Sequence, residues 1–287
     1  CNKTFVWKRP YNKKYKEQHW FELWITEGYS TRQLVSISKH SRAKINRIRN
    51  YWLSKEPPKL LIDLSKIKYV MLDGTYFHKD GCLIVLMDYI TRKIITYEYI
   101  GKENYHDVYT LLKRLKEQDL NPLAVILDGH QKVIQAFIDL WPSIIIQRCL
   151  FHIKKQGQQW LRTFPKTKAG KELKDILKIL MFVKTEEHKK EFIRIYANWF
   201  FAHKRFIKQL PITSVANKDL KRTTSLMNNA LPNMFHYVKD QNIASTTNLL
   251  ENLFSQLKQK YRDHRGLSKQ HKIAYLKWFC YFKYMSK

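Results

Sequence analysis

The sequence predicts an α/β fold: a mixed sheet covered by helices, with an all-helical insertion and a small helix-turn-helix domain in front. Three observations predict it. Residues 20–55 read as three short capped helices, residues 67–148 run β-β-β-α-β-α-β, and helical patterns dominate the remainder. The 287 residues are 44% hydrophobic and 14% aromatic. That suffices to bury a core and excludes a disordered basic tail.

Residues 1–19 are basic and aromatic without clear periodicity. Trp20 to Thr26 forms the first helical piece, and Glu27-Gly28-Tyr29 breaks it. Ser30 caps Thr31–Ile37, Ser38-Lys39-His40 turns the chain, and Ser41 caps Arg42–Leu53. Leu34, Ile37, Ile45, Ile48 and Trp52 are expected to face inward, with Arg42, Lys44, Arg47 and Arg49 outward. This is the outline of a helix-turn-helix whose final helix enters the major groove. A plain three-helix packing unit with a solvated basic face fits the same pattern. Lys55-Glu-Pro57-Pro58-Lys reads as a linker.

From residue 67 the period shortens. Tyr69–Asp73, Cys82–Asp88 and Lys93–Ile100 are apolar, β-rich runs and read as hairpin-connected strands. A helix over Tyr105–Gln118, a strand Leu123–Asp128, a helix Gln131–Leu140 and a strand Ile144–Arg148 follow. Helices are then expected at Leu150–Phe164, Lys171–Val183, Glu186–Leu210 and Thr247–Tyr261. The order βββαβαβ followed by helix is that of the ribonuclease-H-like fold. The domains are thus 20–55 and a ribonuclease-H-like core over 67–287, with a helical insertion at about 150–245. Trp160 and Trp199 are expected in the core of the insertion.

Lys and Arg total 53 against 24 Asp and Glu, a net charge of +29. The excess is uneven: +11 over 1–68, −1 over 69–148 and +19 over 149–287. A uniformly lysine-rich composition would not spare the middle block. A polyanion partner explains the flanks, because each neutralised phosphate releases condensed counterions. DNA is the expected partner. No run approaches a membrane span, and the N-terminal residues lack the apolar stretch of a signal peptide. Four separated cysteines (Cys1, Cys82, Cys149, Cys280) exclude a disulfide scaffold and fit a reducing compartment. The expected location is cytoplasmic, at the nucleoid.

Asp73 and Asp128 each follow an apolar run and precede glycine. On strands one and four of this order they become neighbours, and adjacent carboxylates repel unless protonated or bridged by metal. Hard divalent cations suit such oxygen ligands. A third carboxylate is expected on a late helix, where Thr247 serves as N-cap, Leu250, Phe254 and Leu257 form an inner stripe, and Glu251 is the candidate. Lys258 lies two turns along the same face, and Arg262 and Arg265 extend the basic run. Asn248, Lys258, Arg262 and Arg265 are candidate DNA contacts, though helix capping and a solvated face fit them nearly as well. Each acid alone reads as a turn residue. Leu-Asp-Gly-Thr is also similar to a phosphatase motif, but the nucleophilic acid of that motif is Met71 here, leaving no carboxylate for a covalent step.

The ordered motifs carry a resemblance. Asp-Gly-Thr-Tyr (73–76), Asp-Gly-His (128–130), Gln-Arg-Cys-Leu-Phe-His (147–152), Pro-Lys-Thr-Lys-Ala-Gly (165–170), Thr-Thr-Asn-Leu-Leu-Glu (246–251) and His-Arg-Gly (264–266) resemble a DDE transposase of the Mutator-like insertion-sequence group. The resemblance implies Asp73, Asp128 and Glu251 as a catalytic, metal-binding triad for two Mg2+ (or Mn2+) ions. It also implies Mg-dependent cleavage and strand transfer of transposon-end and target DNA by a homo-oligomer. Cys149 and His152 match the group's Cys-x-x-His signature near the site. Cys1-Asn-Lys-Thr-Phe resembles the tail of a zinc ribbon, without the other ligands. A domesticated, non-catalytic DNA-binding protein and a ribonuclease-H-like nuclease outside transposition are the rival readings.

Overall fold

Three helices open the chain: α1 (Pro10–Thr26), α2 (Thr31–Ser38) and α3 (Arg42–Leu53). The computed structural model describes residues 10–77, 81–264 and 266–285. Cys1 and the expected ribbon tail lie outside that range, as does Arg265. The caps form where the serines predict them. Ser30 accepts from the Gln33 amide in a reciprocal capping box, and Ser41 accepts from the Lys44 amide. Helix α1 starts ten residues before the expected Trp20, at a proline whose missing N–H costs nothing in a first turn.

Two expectations about these helices are corrected. Ile37 is 52% exposed, because α2 is only two turns long and buries Leu34 alone. Arg49 is half-buried, not outward: its guanidinium lies 5.5 Å over the Trp24 ring, and its Nε is buried without a partner. It falls on the same helical stripe as Ile45, Ile48 and Trp52, so spacing carries it inward despite its charge.

The strands are β1 (Tyr69–Tyr76), β2 (Cys82–Asp88) and β3 (Ile94–Ile100), followed by α4 (Tyr105–Lys116), β4 (Ala124–Leu127), α5 (Gln131–Leu140) and β5 (Ile145–Arg148). They form one mixed sheet in the order β3-β2-β1-β4-β5. The first three strands pair antiparallel, and β4 runs parallel to both β1 and β5. Strand β1 continues to Tyr76, so Asp73 sits inside it opposite Val85, where a strand end was expected.

The helical remainder comprises α6 (Leu150–Leu161), α7 (Lys168–Ile179), α8 (Glu186–Gln209), α9 (Val215–Ala230), α10 (Asn248–Arg262) and α11 (Lys269–Met285). Helices α9 and α11 were not expected from the sequence. Three apolar clusters result. One sheet face, with Met71, Val85 and Ile126, packs against α10, α11 and the N-terminal helices. The other, with Leu72, Ile84 and Val125, packs against α4 and α5. Helices α6 to α9 bury a cluster of their own around Leu173, Phe192, Tyr196 and Trp199. The N-terminal helices therefore share a core with the C-terminal pair: the Trp278 indole donates to the carbonyls of Trp52 and Lys55, and Tyr275 to that of Ile25.

Candidate metal centre

Strand alternation sets the first carboxylate. Met71 and Asp73 point to the same face of β1, the face that α10 covers. The β1–β4 register pairs Met71 with Ile126. Two residues further along, Asp73 is level with Asp128, the first residue beyond β4, on strands about 4.8 Å apart. Helix α10 is fixed by Leu250, Phe254 and Leu257, all buried as the stripe predicts, and presents Glu251 in its first turn. The first turn of α6 supplies His152.

These side chains converge. One ligand atom each from Asp73, His152 and Glu251 lies within 4.8 Å of the others. His152 Nε2 is 3.1 Å from Glu251 Oε1. Asp128 does not belong to that cluster; its Oδ1 accepts the His130 amide at 2.8 Å. It nevertheless sits close enough to Asp73 for their charges to repel.

Asp73 is only 8% exposed. Burial pushes its carboxyl up to about 7; the His152 charge opposes the rise, and Asp128 and Glu251 add to it. Burial works against charge on His152, but contact with Cys149 and the neighbouring carboxylates raises the imidazole to about 9. Without metal, the imidazolium is the charge that lets Asp73 and Glu251 approach each other.

Cys149 is fully buried, and its sulfur accepts from the Thr247 amide at 3.3 Å and the Thr247 hydroxyl at 3.4 Å. Burial alone would raise the thiol; the His152 ring more than offsets it and lowers the thiol. Thr247 precedes α10 but makes no side-chain cap, which corrects its expected role: the hydroxyl is already committed to the sulfur. Cys149 thus joins β5, α6 and the start of α10. The His152 ring lowers the Cys149 thiol electrostatically, while its Nδ1 is buried without a hydrogen-bond partner among the described residues.

Three neighbours were missed in the sequence. The Arg148 side chain is buried, and its Nε donates to the Asp128 carbonyl at 3.1 Å. It packs against Gly129 (φ +119°), where a Cβ would fall 1.9 Å from the guanidinium. Glu103 is also buried, and its Oε1 occupies the place a Cβ of Gly74 would need. Burial and then the Asp128 charge push its carboxyl up. Gln147 accepts the His236 amide and donates to the Met234 carbonyl, tying the helical insertion to β5. Arg148 and Gln147 stand in the Gln-Arg-Cys motif, so a signal was present; Glu103, alone after β3, offered none.

The other candidates lie farther out. Asn248, Lys258 and Arg262 are exposed on α10, with the Lys258 ammonium 5.8 Å over the Phe77 ring. Arg42 and Arg47 are exposed on α3, and Lys44 is half-buried, 4.0 Å from Glu17. His264 is buried and bonds the Trp24 carbonyl, so part of the His-Arg-Gly motif fastens α1 to the end of α10. Trp199 is core as expected. Trp160 is half-buried beside Arg222, which corrects its expected core position: its stretch of α6 borders a cleft.

Two carboxylates and an imidazole, with a further carboxylate alongside, form a donor set that fits a divalent cation. The family model for the Mutator family of transposases matches residues 16–274. The chain belongs to that family. No curated protein matches this Mutator-family chain. Among solved structures, a chain of the simian T-cell lymphotropic virus intasome, solved by cryo-EM in complex with PP2A regulatory subunit B56 gamma, is 14% identical. The match covers 72% of this chain and 66% of that one at a TM-score of 0.23, too weak a superposition to bear on fold or function. Among the described residues, no helix is long and apolar enough to cross a membrane.

Proposed function

We propose that this Mutator-family chain is a metal-dependent DNA transposase. It cleaves and joins DNA on a ribonuclease-H-like core, with α2 and α3 acting as a helix-turn-helix reader of element ends. The observation that carries the reading is the meeting of Asp73 and Glu251, 178 residues apart in sequence, in one ligand cluster with Asp128 level beside it. The sheet order, the family match and the basic flanks support it.

Asp73, Asp128 and Glu251 would hold two Mg2+ or Mn2+ ions. Bound there, the ions would supply charge to stabilise the attacking and leaving oxygens of a phosphodiester. The protein's own part is placement. Cys149 holds Thr247 at the start of α10, His152 pairs with Glu251, and Arg148 fixes the backbone that carries Asp128. Asn248, Lys258 and Arg262 would contact DNA along α10, Arg42, Lys44 and Arg47 would do so from α3, and Arg265 is a further candidate from the sequence. Arg49 is better suited to supporting α3 against Trp24. Synapsis of two element ends calls for a homo-oligomer, working in the cytoplasm at the nucleoid.

Asp73→Asn tests the reading. A transposase loses Mg2+-dependent cleavage of element-end DNA and keeps its affinity for that DNA. Unchanged cleavage would sink the assignment.

A further inference from the structure

A positively charged cleft adjoins the backbone that carries Asp128. Past Asp128, the chain turns at Gly129 into a cleft of about 390 Å³ between α6 and α9. Its lining includes Arg148, Trp160, Lys221, Arg222, Asn229 and Gln131, and no carboxylate. Arg222 is held by Asp219 at 3.0 Å and lies 5.7 Å over the Trp160 ring, so its position is fixed. Lys221 is exposed and Asn229 adds an exposed amide. Fixed and exposed cations beside amide donors are the chemistry that grips phosphodiester oxygens without reading sequence.

The floor of the cleft is mechanically connected to the acids. Arg148 lines it and donates to the Asp128 carbonyl, with its guanidinium pressed on Gly129. Any side chain at 129 would displace that guanidinium, and the positive φ independently demands glycine. A polyanion seated here would lie one residue from the carboxylate that must face the reacting phosphodiester.

We propose that this cleft seats the sugar–phosphate backbone of the DNA strand being processed, with Lys221 as its exposed contact and Arg148 as the positioning residue that ties the seated strand to Asp128. The proposal rests on the transposase reading and adds a DNA path over α6 and α9, separate from α3 and α10.

The test uses the full chain and a short mixed-sequence duplex, titrated by fluorescence anisotropy over a range of salt. Lys221→Ala weakens binding several-fold and lowers the salt slope by about 0.9, the contribution of one phosphate contact. Lys221→Glu weakens it further. Neither changes Mn2+ binding measured without DNA. Arg148→Lys keeps the charge but loses the planar fork. It weakens Mn2+ binding roughly tenfold, as loss of an outer partner does, while DNA affinity stays within about threefold. Both Lys221 variants binding with wild-type affinity and slope would overturn the cleft, whatever Arg148→Lys does to folding. Wild-type Mn2+ affinity in a folded Arg148→Lys protein would overturn the tie to Asp128. A wild-type chain that binds no duplex at low salt would overturn the transposase reading along with the cleft.

Discussion

His152 Nε2 lies 3.1 Å from Glu251 Oε1, so a histidine in the first turn of α6 meets a carboxylate in the first turn of α10, 99 residues later. The contact closes the helical insertion back onto the sheet. It also makes His152 the counter-charge of the metal-free site. His152→Ala removes the imidazole donor from the cluster it forms with Asp73 and Glu251. Mn2+ affinity should fall by about ten- to a hundredfold, measured by calorimetry, and His152→Gln should recover part of the loss. Unchanged affinity in His152→Ala would show the ring to be a bystander.

The elevated Asp73 carboxyl predicts a pH dependence with a definite sign. Its folded value, about 7, exceeds the ordinary aspartate value of 3.8. The folded metal-free chain therefore binds this proton more tightly than the unfolded chain. That contribution to stability is full below about pH 4 and disappears as pH rises through 7. Metal must displace the same proton, so apparent Mn2+ affinity should weaken as pH falls below 7. Asp73→Asn should flatten the stability profile between pH 4 and 7 in chemical denaturation. A wild-type profile flat over that range would contradict the assignment.

Gly129 should tolerate no side chain. Gly129→Ala meets both an unfavourable φ of +119° and the Arg148 guanidinium, and should cost on the order of 1–3 kcal/mol by urea denaturation. Gly101→Ala, with nothing within 4 Å of the added methyl and an ordinary φ, should be close to neutral. Equal effects at the two positions would refute the close approach.

Arg47 and Arg49 are two residues apart on α3 and should behave differently. Arg47 is exposed; Arg47→Ala should lower DNA affinity and reduce the salt slope by about 0.9, with stability within about 0.5 kcal/mol. Arg49→Ala should instead lower the melting temperature, since it removes a cation packed on Trp24. Stability losses in Arg47→Ala matching those in Arg49→Ala would refute the difference in packing.

The same pair marks the limits of sequence reading here. The strands were legible because four of the five apolar runs ended at glycine or turn residues, and four of the expected strands match to within a residue at each end. Asp73 was found but misplaced: Gly74 looked like a turn, yet it stays in the strand paired opposite Ile84, and it is glycine because Glu103 fills the space a side chain would occupy. Helix α11 escaped because it is apolar nearly all round, burying Tyr275, Trp278, Phe279 and Cys280, so no amphipathic stripe announces it. Arg49 escaped because charge suggested solvent while spacing pointed inward. At the site, Asp73 and Glu251 were legible from motif order. The clamp of Arg148 on Asp128 depends on a contact between chain segments that only folding creates.

The central claim is that Asp73, Asp128 and Glu251 act together on divalent metal. Calorimetric titration of Mn2+ into the wild-type chain, Asp128→Asn and Glu251→Gln tests it most directly. The account predicts saturable binding in the wild type and a loss of more than about tenfold in each variant, because each removes a charged oxygen donor. Wild-type binding retained in both variants would contradict it.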